Sequence, residues 1–237
     1  MKVALVGLGK MGREVQAVLR ERDHDPQVVL MGAPFPAGCP VGIDFTVADT
    51  VAGNVAKAMA AGARYVVGTT GWSDRLAEVK ALVDKAGGGL VHAPNFSIGV
   101  NLFYRIARQA AAMLARFPDY DPYVLERHHR GKADAPSGTA NALAEILTAA
   151  GGRRRRALSV LDGPLPDDAF HVAAVRAGGI VGDHTVGFDS GGDEILLEHR
   201  ARSRRGFALG AVLAAEWIAT RNGVHTFEAV LDDLARR

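Results

Sequence analysis

The chain of 237 residues has little cysteine, little net charge and no long apolar run. Its one cysteine, Cys39, excludes an internal disulfide framework and a thiolate metal cluster, and it fits a reducing, cytoplasmic setting. A formal net charge of +2 is too small to argue for a nucleic-acid partner. No apolar stretch approaches the roughly 20 residues that span a bilayer, so no membrane partner is expected. The opening Met1-Lys2-Val3-Ala4-Leu5-Val6-Gly7 is too short an apolar run for a signal peptide and turns straight into glycines. What remains is ordinary for a globular protein: 48% hydrophobic and 23% charged residues, enough for a full core in one large domain or two modest ones.

Residues 2–6 form a short valine-rich run that predicts a strand. Gly7-Leu8-Gly9-Lys10-Met11-Gly12 follows, and then a helical pattern over 13–22. Strand, G-x-G-x-x-G and helix in that order is the context a dinucleotide fingerprint requires. Gly7 makes the turn, Gly9 lets backbone approach a pyrophosphate, and Gly12 lets the helix pack on the strand. Phosphate oxygens would then meet the free N–H groups of the helix N-terminus. A second strand is predicted over 26–31. An acid about 20 residues past the glycines would hold the adenosine ribose, but Gly32-Ala33-Pro34 stands there, so the choice between NADH and NADPH stays open. Cys39 lies in an irregular link rich in proline and glycine and reads as a non-catalytic thiol.

Strands are predicted over 41–45, 64–67 and 89–93. Helices alternate with them: one to about residue 61, capped by Thr46 or Asp49, and one over 73–86, capped by Ser73. The alternation predicts an α/β fold, a Rossmann-like, doubly wound parallel sheet whose ligands sit outside the carboxyl ends of the strands. Gly68-Thr69-Thr70-Gly71 and Pro94-Asn95-Phe96-Ser97 fall at those ends, beside the first glycine loop. After residue 97 the pattern changes. A long apolar helix over 98–114 precedes a strand over 123–128 and a helix over 139–149. Strands over 157–161, 171–177, 183–188 and 194–201 follow with little helix between them. This predicts a second, α+β domain over 98–205 with an open mixed sheet, one face of which a partner subunit could cover. Helices over 206–221 and from Thr226 to 236 would return to the first domain, giving it residues 1–97 and 206–237. Arg153, Arg154, Arg155 and Arg156 read as solvated turn charge, because no aromatic or basic stripe accompanies them.

The most polar stretch is Glu126-Arg127-His128-His129-Arg130-Gly131-Lys132-Ala133-Asp134-Ala135-Pro136-Ser137-Gly138-Thr139, between a strand and a helix start. A lone histidine is most often structural, and a lone lysine is usually solvent-facing. Here they cluster with two hydroxyls and the first N–H groups of a helix, at Gly138 and Thr139. That set of groups would grip a carboxylate. A histidine exchanges protons near neutral pH, and Lys132 could either donate a proton or hold charge. Together with the glycine fingerprint, the parts describe hydride transfer to an anionic substrate with proton delivery from this loop. No metal is expected, since His128 and His129 are adjacent and adjacent residues of a strand point to opposite faces.

The same stretch resembles the E-x-H-H-x-x-K-x-D-A-P-S-G-T signature of the 4-hydroxy-tetrahydrodipicolinate (dihydrodipicolinate) reductase family. The glycine fingerprint, Asp44-Phe45-Thr46, both glycine- and proline-bearing loops and the run from Arg176 to Thr185 agree with it, in order along the chain. The resemblance implies reduction of a cyclic unsaturated dicarboxylate with NADH or NADPH, in the diaminopimelate route to lysine. Hydride would go to substrate C4 with loss of water, and the ring would then take up a proton. It implies His128 as proton donor and acceptor, Lys132 as second donor, and His129, Gly138 and Thr139 as substrate contacts, beside Ser137 of the same turn. Gly7, Leu8, Gly9, Lys10, Met11, Gly12, Gly68, Thr69, Thr70, Ala93, Pro94, Asn95 and Phe96 would line the cofactor. The second domain would bind substrate and build a homotetramer. The chain departs from the family pattern in a trimmed segment between Met31 and Val41, which lacks the usual ribose reader, and in a compact segment between Leu147 and Val172. The alternative is another NAD(P)-dependent oxidoreductase, of amino-acid dehydrogenase type, on the same two-domain plan. A dinucleotide sensor without catalysis would have no need for His128, Lys132 and the Ser137 turn together.

Overall fold

The computed structural model describes residues 1–30 and 32–236. In chain order the elements are β1 (Lys2–Val6), α1 (Lys10–Glu21), β2 (Asp25–Val29), β3 (Val41–Asp44), α2 (Val51–Ala60), β4 (Arg64–Val67), α3 (Leu76–Ala86) and β5 (Gly89–His92). Next come α4 (Ile98–Leu114), β6 (Asp121–His128), α5 (Gly138–Ala150), β7 (Arg156–Leu158), β8 (Ala169–Arg176), β9 (Asp183–Asp189) and β10 (Glu194–Arg200). The chain closes with α6 (Arg205–Ile218), β11 (Gly223–Thr226) and α7 (Phe227–Ala235). Two compact units result: Met1–Ile98 together with Arg204–Arg237, and Gly99–Ser203.

In the first unit six strands lie parallel in the order β11-β5-β4-β3-β1-β2. Side chains alternate across a strand, and β1 shows the result. Val3 and Leu5 join a core with α1, α6 and α7, while Ala4 and Val6 join a second core with α2 and α3. Helices therefore cover both faces, which is why these strands read as continuous apolar runs. The chain steps from β1 out to β2 and then back past β1 to β3. At such a reversal the loops part and leave a crevice over the carboxyl ends.

Several local expectations are corrected. The second strand ends at Val29, and Met31, its expected last residue, lies outside the described residues. Neither Thr46 nor Asp49 caps α2. A 3-10 turn over Ala48–Thr50 leads into that helix without a side-chain cap, and the Thr46 hydroxyl donates to Asp44 Oδ1 at 2.6 Å instead. Ser73 likewise opens a 3-10 turn, Ser73–Arg75, and caps nothing. Thr226 does cap α7, accepting from the Ala229 N–H. Cys39 is buried among Val29, Ala63 and their neighbours, and burial pushes its thiol pKa up, so it packs as a small hydrophobe.

The second unit is a mixed sheet in the order β10-β9-β6-β8-β7, with β6 antiparallel to β9 and parallel to β8. Phe103, Ala107 and Ala111 of α4 and Leu143 and Leu147 of α5 pack on Val124, Phe170, Val172 and Val186 of the strands. Val175 and Leu196 are exposed hydrophobics of β8 and β10. Along β6 the buried positions alternate: Val124, Glu126 and His128 are buried, and the residues between them less so. The period of two therefore carries one carboxylate and one imidazole onto the same face as the apolar core.

Candidate active site

In the first unit the glycine loop has the form a phosphate cradle needs. Gly7 sits at φ +90, and a Cβ there would stand 2.7 Å from Phe45 O. A Cβ on Gly12 would stand 2.0 Å from Gly7 O, so only glycine lets α1 start this close to β1. A Cβ on Gly9 would meet nothing within 4 Å, which leaves open space over the loop. Gly9 is the N-cap residue of α1 and has no side chain to satisfy the first N–H groups. Free donors at a helix start beside open space fit a pyrophosphate. Leu8 and Lys10 are exposed at this rim.

The two later loops also meet. A cleft of about 620 Å³ is lined by Thr69, Thr70 and Gly71 after β4 and by His92, the last residue of β5, with Ala93 and Pro94 after it, and Trp72 in its wall. Gly68 is required for packing, since a Cβ there would lie 2.2 Å from the Phe45 ring. Not every expected cofactor residue offers its side chain. The Thr69 hydroxyl is buried, donates to Asp44 Oδ1 at 3.1 Å and accepts from the Thr46 N–H. The Phe96 ring is in the core, 4.9 Å between centroids from Phe227. The Asn95 carboxamide accepts from the Ser97 N–H. At Thr69 and Phe96 any cofactor contact would fall to the backbone.

In the second unit the strand register assembles a cluster the sequence did not announce. Opposite Glu126 on β9 lies His184, and opposite His128 on β8 lies Arg176. Glu126 is fully buried. Its Oε1 accepts from the Ser137 N–H at 2.9 Å and from Arg176 Nη2 at 2.7 Å. Its Oε2 lies 2.7 Å from His128 Nδ1, a close contact without the in-line geometry of a hydrogen bond that becomes an ion pair when the imidazole is protonated, and 3.8 Å from His184 Nε2. The His128 and His184 rings meet edge to face at 5.1 Å. Gly182 passes so close that a Cβ on it would stand 2.9 Å from His128 Nε2.

The electrostatics follow from these contacts. Burial pushes the Glu126 pKa up, but the hydrogen bonds from Ser137 and Arg176 outweigh it and hold the carboxyl below its usual range. Burial is also the largest influence on His128. Together with the charges of Lys132 and Arg176 it lowers that pKa, against the opposing pull of Glu126. His184, more deeply buried and beside His128, is lowered to about 4. His128 is thus neutral at neutral pH and, once protonated, a readier proton donor than a free imidazole.

Around this cluster the loop is tied down. Lys132 Nζ donates to Asp134 Oδ1 at 2.6 Å, and the Lys132 N–H reaches the His129 carbonyl. Arg176 also donates to the Asp134 carbonyl. Ser137 is the N-cap of α5, its Oγ accepting from the Ala140 N–H and lying 3.2 Å from His184 Nε2. At 2% exposure its hydroxyl serves the fold. The first helical residues, Gly138 and Thr139, are the ones left accessible, with the N–H groups of a helix start.

Glu126, His128 and His184 each bring one ligand-type atom within 4.8 Å of the others. The adjacency of His128 and His129 along the chain does not reveal this trio, because His184 comes from another strand. A guanidinium 2.7 Å from the same carboxylate opposes a second cation. The arrangement instead suits holding and moving a proton.

Among the described residues no helix is long and apolar enough to cross a membrane. The family model described as dihydrodipicolinate reductase, C-terminus, matches residues 99–231, and the N-terminal model of the same enzyme matches 31–96. A 4-hydroxy-tetrahydrodipicolinate reductase of Christiangramia forsetii is 35% identical over 99% of this chain and 99% of its own. One of Akkermansia muciniphila is 40% identical over 94% of each. Among solved structures, a dipicolinate-bound dihydrodipicolinate reductase from Paenisporosarcina sp. superposes with a TM-score of 0.75 at 24% identity, covering 97% of this chain and 98% of that one. A DAP dehydrogenase of C. glutamicum gives 0.52 at 15% identity, covering 100% and 98%.

Proposed function

This chain belongs to the dihydrodipicolinate reductase family, and from that premise we propose how its residues divide the reaction. It is an oxidoreductase that reduces 4-hydroxy-tetrahydrodipicolinate with a nicotinamide dinucleotide, a step of lysine and diaminopimelate biosynthesis. The first unit binds the dinucleotide. Backbone N–H groups of residues 7–12 hold the pyrophosphate, and the loops carrying Gly68, Thr69, Thr70, Ala93, Pro94, Asn95 and Phe96 border the rest of the molecule. When bound, the nicotinamide supplies the hydride.

The second unit binds the dicarboxylate and handles protons. The N–H groups of Gly138 and Thr139, with His129, hold a carboxylate at the start of α5. Ser137 fixes that helix start. His128 delivers a proton to the substrate ring, and Glu126 steadies the imidazolium while it carries the charge. Lys132 is a second donor, held ready by Asp134. We place the protein in the cytoplasm as a homotetramer, in which a partner covers the face bearing Val175 and Leu196.

The observation that carries this reading is the buried imidazole at the end of β6, backed by a carboxylate and set beside a helix start. His128→Gln tests it. We expect kcat to fall by about a hundredfold or more, while NAD(P)H affinity, followed by quenching of dinucleotide fluorescence, stays within about twofold. Near-normal turnover would remove His128 from the role.

A further inference from the structure

Beside β1 the carboxyl end of β2 opens onto a pocket of about 610 Å³, lined by Val6, Gly32, Thr46, Asp49, Asn54 and Lys57 among others. In a sheet of this order the adenosine ribose lies at the end of β2, where an acid would hold its 2′-hydroxyl or a cation its 2′-phosphate. The chain following β2 supplies neither group, only Gly32-Ala33-Pro34. The structure fills the position from another element. Lys57, in the last turn of α2, reaches across so that its Nζ donates to the carbonyls of Gly32 and Ala33, at 3.1 Å each. Two of the ammonium's three donors are thereby fixed, and one remains. A Cβ on Gly32 or on Gly53, which also lines the pocket, would meet nothing within 4 Å, so the space beside the ammonium is open.

We propose that Lys57 reads the 2′-position of the dinucleotide and selects a 2′-phosphate, making NADPH the preferred reductant. The proposal rests on the first unit being the dinucleotide domain. The competing group is Asp49, the exposed carboxylate of the same pocket. It would accept from a ribose hydroxyl and favour NADH. Asp44, which is fully buried, is not available, because its oxygens already accept from Thr46, Asn54, Tyr65 and Thr69.

Calorimetric titration of the full chain with adenosine 2′,5′-bisphosphate and with 5′-AMP separates these readings without turnover. We expect the bisphosphate to bind about tenfold more tightly or better, the scale of one charge-assisted hydrogen bond. Lys57→Met should bring the two close to parity and Lys57→Arg should keep the preference, and the ratio of kcat/KM for NADPH over NADH should follow. If both nucleotides bind but Lys57→Met leaves their ratio unchanged, or if the wild-type chain prefers 5′-AMP and Asp49→Asn abolishes that preference, Lys57 is not the reader. If neither nucleotide binds, the dinucleotide reading falls and takes this proposal with it.

Discussion

Among the described residues each unit buries one carboxylate completely, and the two are used in opposite ways. Asp44, at the end of β3, receives only neutral donors: the N–H and hydroxyl of Thr46, the Thr69 hydroxyl, the Asn54 amide and the Tyr65 phenol. None of these groups changes charge near neutral pH. The Tyr65 pKa is driven well above its usual value by burial and then by Asp44. Glu126, near the end of β6, receives a guanidinium and a backbone N–H and lies against two imidazoles. A carboxylate surrounded by fixed donors locks loops in place. One surrounded by groups that titrate couples the fold to a proton. Burial alone would not have told them apart; the chemistry of their partners does.

Substitutions sharpen that contrast. The largest effect belongs to Glu126→Gln. Removing one charge of a buried pair leaves Arg176 uncompensated and should cost about 3–5 kcal/mol of stability. Because Glu126 pulls the His128 pKa upward, its loss should also move the pH profile of kcat toward acid. An unshifted profile in a folded variant would separate Glu126 from the chemistry. Acid titration comes next. His184 is held at about 4 in the fold, against roughly 6.5 for a free imidazole. Between those values the unfolded chain binds the proton and the folded one does not. Stability should therefore fall as pH drops through that window, by on the order of 3 kcal/mol, and this part of the loss should level off below about pH 4. Urea unfolding midpoints at several pH values would show it, and His184→Asn should flatten the curve. A wild-type curve already flat from pH 7 to 4 would sink the claim. The smallest effect is expected from Asp44→Asn. An amide cannot accept on both sides, so donors are stranded at about 2 kcal/mol, with no movement of the kcat profile. A shift as large as that of Glu126→Gln would erase the distinction between the two carboxylates.

Much of this was legible in the chain, and the residues show why. The glycine loop announced itself because strand, glycines and helix are contiguous, so local geometry carries the whole signal. Ser137 was recognisable as part of a helix start for the same reason. The sequence placed it among the substrate contacts, and the structure adds that its hydroxyl accepts from the Ala140 N–H and lies beside His184. Arg176 and His184 could not be assigned, because they reach Glu126 and His128 only through the pairing of β6 with β8 and β9, and register is a property of three strands together. Thr46 was expected to cap a helix; a buried carboxylate two residues before it took the hydroxyl instead. β11 was missed altogether. Gly223-Val224-His225-Thr226 is four half-covered residues between two helices, and only its pairing with β5 makes it a strand.

That last strand has a consequence for the order in which the molecule can be made. The second unit is contiguous and can close its core as soon as residue 203 has been synthesised. The first cannot. Val3, Leu5, Val41 and Val66 pack in one cluster with Ala211, Val212, Ala215 and Phe227, and the open edge of β5 is paired by residues 223–226. Until α6, β11 and α7 arrive, one face of the parallel sheet is covered by α1 alone and one edge offers unpaired backbone. The half that begins first is completed last, with the inserted unit already formed between its two pieces.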